Sequence, residues 1–254
     1  MFNFHAKKNT QAGSRCFHAK STSEEKKGAK AAVRNTFAHL AENRFVLNTD
    51  VRSYYASIDH QAILDRLAPF KQDRRLWKLL VQYLKRCSER GGLFWKFTRG
   101  IPLGCPLSPV LGSFFLHELD ARLEMSGLFY MRFMDDILVL APTHWKLRRA
   151  VKTVNQALDT LLLEKQPEKA FMGRVEKGFD FLGYHFRPGR LEVSASTKRR
   201  FAEHALRLYE REQGQSDCLA LLGEYVRRWQ RWAVAGLREP LPSQCPYNAQ
   251  QSSA

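Results

Sequence analysis

Two adjacent carboxylates, Asp135 and Asp136, interrupt the stretch FYMRFMDDILVLAP (129–142), whose other residues are mostly aromatic and aliphatic. The flanks 129–133 and 137–141 have the composition of two short strands. A charge inside such a run is costly unless a positive group satisfies it. The pair therefore either sits at a polar hairpin tip, where Asp is a common turn residue, or holds a cation. A third acid, Asp50, closes the strand-like RFVLNTD (44–50). If that strand neighbours the hairpin, three carboxylates converge on one edge of a sheet. Their repulsion then calls for a counter-charge, and hard oxygen ligands suit Mg²⁺. Two such ions side by side can activate a 3′-hydroxyl and hold a departing pyrophosphate. Side chains alternate faces along a strand, so Asp135 and Asp136 should be inequivalent, one a leading ligand and the other weaker.

The elements around these acids follow from periodicity and turn residues. Residues 29–42 have helical spacing, with Ala32, Val33, Phe37 and Leu40 recurring on one side. Helices are expected at 63–67 and 74–87, and a short strand at LFWKFT (93–98) before the turn-rich RGIPLGCPLSP. Ser108 is placed to cap a helix with Pro109 at its first position, running to about Met125. Asp59 is placed to cap the helix that follows it. After the hairpin come a helix over 145–163, two or three strands within 169–194, and helix from Thr197 to about Gly236. The order strand, helices, hairpin, helix, strand predicts an α+β fold, a small antiparallel sheet with helices on one face and a helical appendage.

Composition narrows the partners. The 254 residues carry 41 Lys plus Arg against 25 Asp plus Glu, a formal charge of +16. Such an excess points to a polyanion, most simply nucleic acid; ribosomes and membrane surfaces are the alternatives. The five cysteines are odd in number and form no CxxC, and no His is spaced with them as a zinc site requires. They are expected as free thiols in a reducing cytoplasm. No apolar run is long enough to span a bilayer, and the N-terminus lacks the apolar core of a secretory signal.

Five stretches, in order, resemble the motifs of bacterial reverse transcriptases of group II introns and their retron-like relatives. DVRSYYASIDH (50–60) resembles motif A, GIPLGCPLSP (100–109) motif B, and RFMDD (132–136) the Tyr-x-Asp-Asp box. LLLEKQPEKAFMG (161–173) resembles the segment that carries a motif-D lysine, and FLGYHF (181–186) a primer-grip hairpin. YVRRWQRWAVAG (225–236) is similar to the end of a helical thumb.

The resemblance implies an RNA-directed DNA polymerase. Residues 44–194 would form a palm of ferredoxin-like topology and 195–238 a thumb. Residues 1–43 would be a basic remnant of fingers, and 239–254 a tail. It implies metal ligation at Asp50, Val51, Asp135 and Asp136 by two Mg²⁺, with Mn²⁺ as a substitute. Lys169 would protonate or neutralise the leaving pyrophosphate. Tyr55 would underlie the nucleotide sugar and reject a 2′-hydroxyl, with Tyr54 packing beside it. Gly104, with Gly100 and the prolines of the loop, would let the backbone approach nucleotide and template closely. Arg227, Arg228 and Arg231, beside Trp229 and Trp232, would track phosphates. Lys198, Arg199 and Arg200 would add to that basic surface. The implied partners are an RNA template, a DNA or RNA primer and deoxynucleoside triphosphates, with a protein or structured RNA as a further partner.

The sequence departs from the family's pattern in three places. Leu103 stands where relatives carry glutamine, and Phe133 where they carry tyrosine. Only 49 residues precede Asp50, with no clear counterpart of the earliest finger motifs, whose role could fall to Lys7, Lys8 or Arg15. Two rival readings follow: a non-catalytic nucleic-acid-binding relative, and a template-independent or defence-associated polymerase.

Overall fold

The computed structural model describes residues 28–214 and 217–237. Lys7, Lys8, Arg15 and the expected tail lie outside the described residues. Four strands form an antiparallel sheet: β1 (Phe45–Asp50), β4 (Phe129–Phe133), β5 (Asp136–Ala141) and β6 (Phe171–Arg174), in the order β4-β5-β1-β6. Between β1 and β4 run α2 (Tyr54–Ser57), α3 (His60–Leu67), α4 (Arg74–Leu84), the hairpin β2 (Cys87–Arg90) and β3 (Leu93–Lys96), α5 (Leu107–Phe115) and α6 (His117–Glu124). The helix α7 (His144–Thr160) returns the chain from β5 to β6. This is the split β-α-β arrangement of a ferredoxin-like sheet.

Alternation along the central strands sorts residues onto two cores. Leu47, Ile137, Val139 and Ala141 pack with side chains from α2 to α7. Val46, Leu138, Leu140 and Met131 face the other way, against Val33 of α1 (Gly28–Ala38) and a second sheet, β7 (Phe179–Phe181), β8 (Tyr184–Arg187) and β9 (Arg190–Val193). Both faces of the sheet are therefore covered, not one. The first face is held by helices, the second by the small sheet, α1 and Ala233 of α9 (Cys218–Leu237).

Local chemistry sets the boundaries. Asp59 caps α3 as expected, accepting from the N–H groups of Gln61 and Ala62. The expected 74–87 helix stops at Leu84, and the chain enters β2, which pairs with β3 through a two-residue turn at Gly91 and Gly92, both of positive φ. The expected helix from Pro109 to Met125 is two helices, broken at Leu116 (φ −90°, ψ 3°). Ser108 is no cap: its buried hydroxyl donates to the Pro102 carbonyl and meets the Tyr83 hydroxyl at 2.8 Å. The 169–194 region holds four strands, of which β6 joins the main sheet. The C-terminal helix is likewise two, α8 (Ala195–Glu212) and α9. Among the described residues Cys105 and Cys218 are free thiols, and no helix is long and apolar enough to cross a membrane.

Candidate active site

The register brings the acids together. Asp50 at the end of β1 pairs directly with Asp136 at the start of β5. Phe133 pairs with Asp136 across the hairpin, which leaves Met134 and Asp135 as its two turn residues. Met134 takes a left-handed backbone, φ 56°, a conformation unfavourable for a side chain of this kind and one that persists only when its surroundings enforce it. Asp136 is thus a strand residue and Asp135 a turn residue, so the two acids differ in backbone setting although both lie close to Asp50.

Asp50 and Asp136 project from the same face as Val46, Leu138 and Leu140, beyond the end of the second core. Like charges directly opposite on antiparallel strands repel. The carboxyl of Asp136 is pushed up to about 6, first by burial and then by the charges of Asp50 and Asp135. That of Asp135 is also raised. Burial is the main cause and the charge of Asp50 adds to it, against a hydrogen bond from its own backbone N–H. Asp50 is 4% exposed. Its Oδ2 accepts from the Lys169 ammonium, which raises the lysine's affinity for its proton, and its Oδ1 is buried with no hydrogen-bond partner among the described residues. Lys169 reaches it from the turn Pro167–Lys169, held against β1 by the bond from Gln166 N–H to the Asp50 carbonyl.

This donor set fits a hard divalent cation. An unsatisfied buried oxygen and two carboxylates pushed toward neutrality are each relieved by positive charge. No three His, Cys, Asp or Glu side chains among the described residues already close on one point as a finished cage. The cation that faces Asp50 is Lys169. Val51 buries its side chain, and its bridge to Lys165 is made by Arg52 N–H and Gln166 N–H, so neither bond uses Val51's own backbone groups.

Beside the turn lies a cavity of about 230 Å³ lined by Tyr55, Pro109, Gly112, Ser113, Phe133 and Met134. Tyr54 is buried, and its hydroxyl donates to the Gly112 carbonyl at 2.5 Å, whereas Tyr55 is half-buried on the cavity wall. Gly112, which sequence reasoning missed, is what admits both rings: a Cβ there would lie 3.1 Å from Tyr55 and 3.2 Å from Tyr54. In the preceding loop Gly100 (φ 90°) is the close-approach glycine, since its Cβ would meet the Ala56 carbonyl oxygen at 3.3 Å. Gly104 (φ 81°) faces open space, next to the exposed Leu103.

On α9 the three expected arginines divide. Arg227 and Arg231 line one open cavity of about 720 Å³ with Gln230, Val234 and Ala235. Arg228 is paired to Glu224 at 3.0 Å. Trp229 stacks on Phe201, and Trp232 on Tyr184, with the Lys30 ammonium 3.3 Å from the Trp232 ring centre. Burial lowers the Lys30 ammonium to about 8.

The chain belongs to the reverse transcriptase (RNA-dependent DNA polymerase) family, whose model matches residues 3–186. The match begins ahead of β1, so the short segment upstream of Asp50 falls within the family's span. Protein YkfC of Escherichia coli (strain K12) is 24% identical over 176 residues, covering 56% of this chain and 46% of that protein. The group II intron-encoded protein LtrA of Lactococcus lactis subsp. cremoris is 24% identical over 118 residues, covering 46% of this chain and 19% of its own. The chain thus spans less than half the length of these relatives. Among solved structures, apo telomerase from Candida tropicalis, truncated from its C-terminal domain, aligns with a TM-score of 0.52 at 12% identity. That alignment covers 68% of this chain and 40% of the telomerase. Telomerase from Candida albicans, in complex with a fragment of telomeric RNA, aligns at 0.50 and 14% identity, covering 87% of this chain and 43% of that one. At such identity the likeness concerns the fold.

Proposed function

We propose that the chain is an RNA-directed DNA polymerase that adds deoxynucleotides to a primer 3′-hydroxyl. The observation that carries this reading is the in-register pair Asp50–Asp136, with Asp135 in the adjoining turn and an orphaned Asp50 oxygen. Asp50, Asp135 and Asp136 would hold two Mg²⁺ (or Mn²⁺), with Val51 contributing beside Asp50. When bound, such ions lower the pKa of the attacking hydroxyl and neutralise charge on the leaving oxygens. Lys169 holds its proton at Nζ firmly through Asp50, and with that contact released it can present this proton to a departing pyrophosphate. Tyr55, on the wall of the cavity beside the turn, would lie under the nucleotide sugar, and Gly104 would border the nucleotide and template. Arg227 and Arg231, which form no ion pair among the described residues, offer their charge to a phosphate backbone. The RNA template, the primer and the triphosphates follow from this reading.

A partner-dependent chain is the second reading. Its support is the exposure of large apolar side chains on α4 and β3, where Leu76, Leu79, Phe94 and Trp95 are all more than half exposed.

The test is single-nucleotide extension of a DNA primer on an RNA template by this chain alone, with a deoxynucleotide or its ribonucleotide. Wild type should use the deoxynucleotide only. Tyr55→Val should admit the ribonucleotide while DNA synthesis falls moderately, because a ring that overlaps a 2′-hydroxyl is repulsive, not merely less attractive. Tyr54→Ala should destabilise the protein without changing sugar choice. Equal discrimination in wild type and Tyr55→Val refutes the sugar role. No incorporation of either sugar by wild type alone, restored by a cell extract, favours the partner-dependent reading.

A further inference from the structure

Arg132 stands at a position that should be apolar. It lies in β4 between Met131 and Phe133, faces the first core with Tyr130, and is 2% exposed. Its partner Asp120 on α6 is equally buried. The guanidinium grips this carboxylate as a fork, Nε to Oδ1 at 2.7 Å and Nη2 to Oδ2 at 2.5 Å, and the Tyr130 hydroxyl donates to Oδ1 at 2.6 Å. An ion pair that served only to fill the core would be replaceable by apolar side chains at little cost in stability. This one does something further with its remaining donors. Nη1 donates to the Met134 carbonyl at 2.8 Å, and Nη2 lies 3.5 Å from the Ser113 carbonyl.

Met134 is the left-handed residue of the turn, and its carbonyl belongs to the peptide unit that leads into Asp135. Ser113 lies on α5, in the wall of the cavity that Tyr55 also lines. A single rigid group therefore ties the carboxylate turn to two helices of the palm. The break at Leu116, absent from the sequence expectation, ends α5 and starts α6, the helix that presents Asp120 to Arg132.

We propose that Arg132, oriented by Asp120 and Tyr130, is a positioning residue that fixes the Met134–Asp135 peptide and with it the direction of the Asp135 and Asp136 carboxylates. The inference rests on the polymerase reading for its consequence in catalysis, but not for its structural claim. Lysine cannot replace arginine here. One ammonium cannot span both Asp120 oxygens and the Met134 carbonyl, whereas the planar fork does so in one orientation.

Two variants of the full chain test this. Arg132→Met/Asp120→Leu removes both buried charges together, a replacement that buried pairs commonly tolerate, and deletes the tether to Met134. Arg132→Lys keeps the charge against Asp120 and loses the fork; should the double variant not fold, it carries the same test. The readouts are thermal melting, amide exchange at Met134–Asp136, and kcat and KM for single-nucleotide extension. Both variants should melt cooperatively, exchange faster at the turn and no faster in β1, and lose about 100-fold in kcat with KM nearly unchanged, the scale expected of an ångström-sized misplacement of reacting groups. Wild-type exchange at the turn in a folded variant overturns the tether. Faster exchange with undiminished kcat overturns its role in positioning. If wild type does not extend a primer, it is the polymerase reading that fails, and the exchange measurement alone decides whether Arg132 holds the turn.

Discussion

The β4–β5 hairpin carries charge on both faces, and the two faces are treated in opposite ways. On the face toward α5 and α6, Arg132, Asp120 and Tyr130 are almost wholly buried, and both oxygens of Asp120 accept hydrogen bonds. On the other face, Asp50, Asp135 and Asp136 crowd together, and among the described residues they meet one opposing cation, Lys169, and leave one buried oxygen without a partner. A fully satisfied polar network stiffens a fold, while a partly satisfied one carries a cost that a positive group brought to it would relieve. The hairpin thus has a structural face and, on the polymerase reading proposed above, a reactive face, with Arg132 three residues from Asp135.

The largest effect should come from breaking the structural face asymmetrically. Arg132→Met alone leaves Asp120 charged and unpaired in the core, and should cost about 3–5 kcal/mol of stability. Urea or thermal melting measures this, and a loss below about 1 kcal/mol would mean that the pair is more exposed to water than its burial states.

On the reactive face, removing a charge should do the reverse. Asp136 binds its proton more tightly folded (about 6) than a free aspartate does, at about 3.9. Between those values the native state holds more protons than the unfolded one, so this group's contribution to stability falls as pH rises from about 4 to about 6 and is then constant. Asp136→Asn lacks this penalty. Without divalent ions its Tm should exceed wild type's by roughly 2–4 °C above pH 6, the equivalent of about 1 kcal/mol for a chain of this size, and the difference should vanish near pH 4. A difference that grows as the pH falls would contradict the repulsion.

A smaller effect separates the arginines of α9. Neutralising Arg227 and Arg231 together should reduce the slope of log K against log salt for an RNA–DNA hybrid by about 1.5 to 2, from the loss of two phosphate contacts. Arg228→Gln should change it less, because Glu224 already engages that side chain. Equal effects of all three would show that the pairing with Glu224 is lost in the complex.

The carboxylate edge was legible in the sequence because it depends on strand order and on alternation, which two short apolar runs and a terminal aspartate suffice to indicate. The Asp59 cap was legible for a local reason, an aspartate immediately ahead of a helical run. Arg132 and Asp120 were not singled out, although the signal was present: an arginine in a strand whose alternate residue is Tyr130, on the side that packs inward. What hid the pair was its partner, since Asp120 belongs to a helix whose start is set by the break at Leu116, and nothing in SFFLHELD announces a break. The Gly91–Gly92 hairpin was overridden by the helical pattern ahead of it. The second face of the sheet was missed because its cover comes from residues far along the chain, such as Tyr184, whose ring and hydroxyl meet α9 at Trp232 and Ala233.

The division of the hairpin into a structural and a reactive face is tested most directly by Asp135→Asn, assayed for melting temperature, for RNA–DNA hybrid binding and for primer extension on the same preparation. Removing the charge relieves repulsion and deletes a ligand. Tm should be held or raised, hybrid affinity should stay within about twofold (~0.4 kcal/mol) of wild type, and extension should be abolished. Loss of the folded state, or extension at the wild-type rate, would contradict this division.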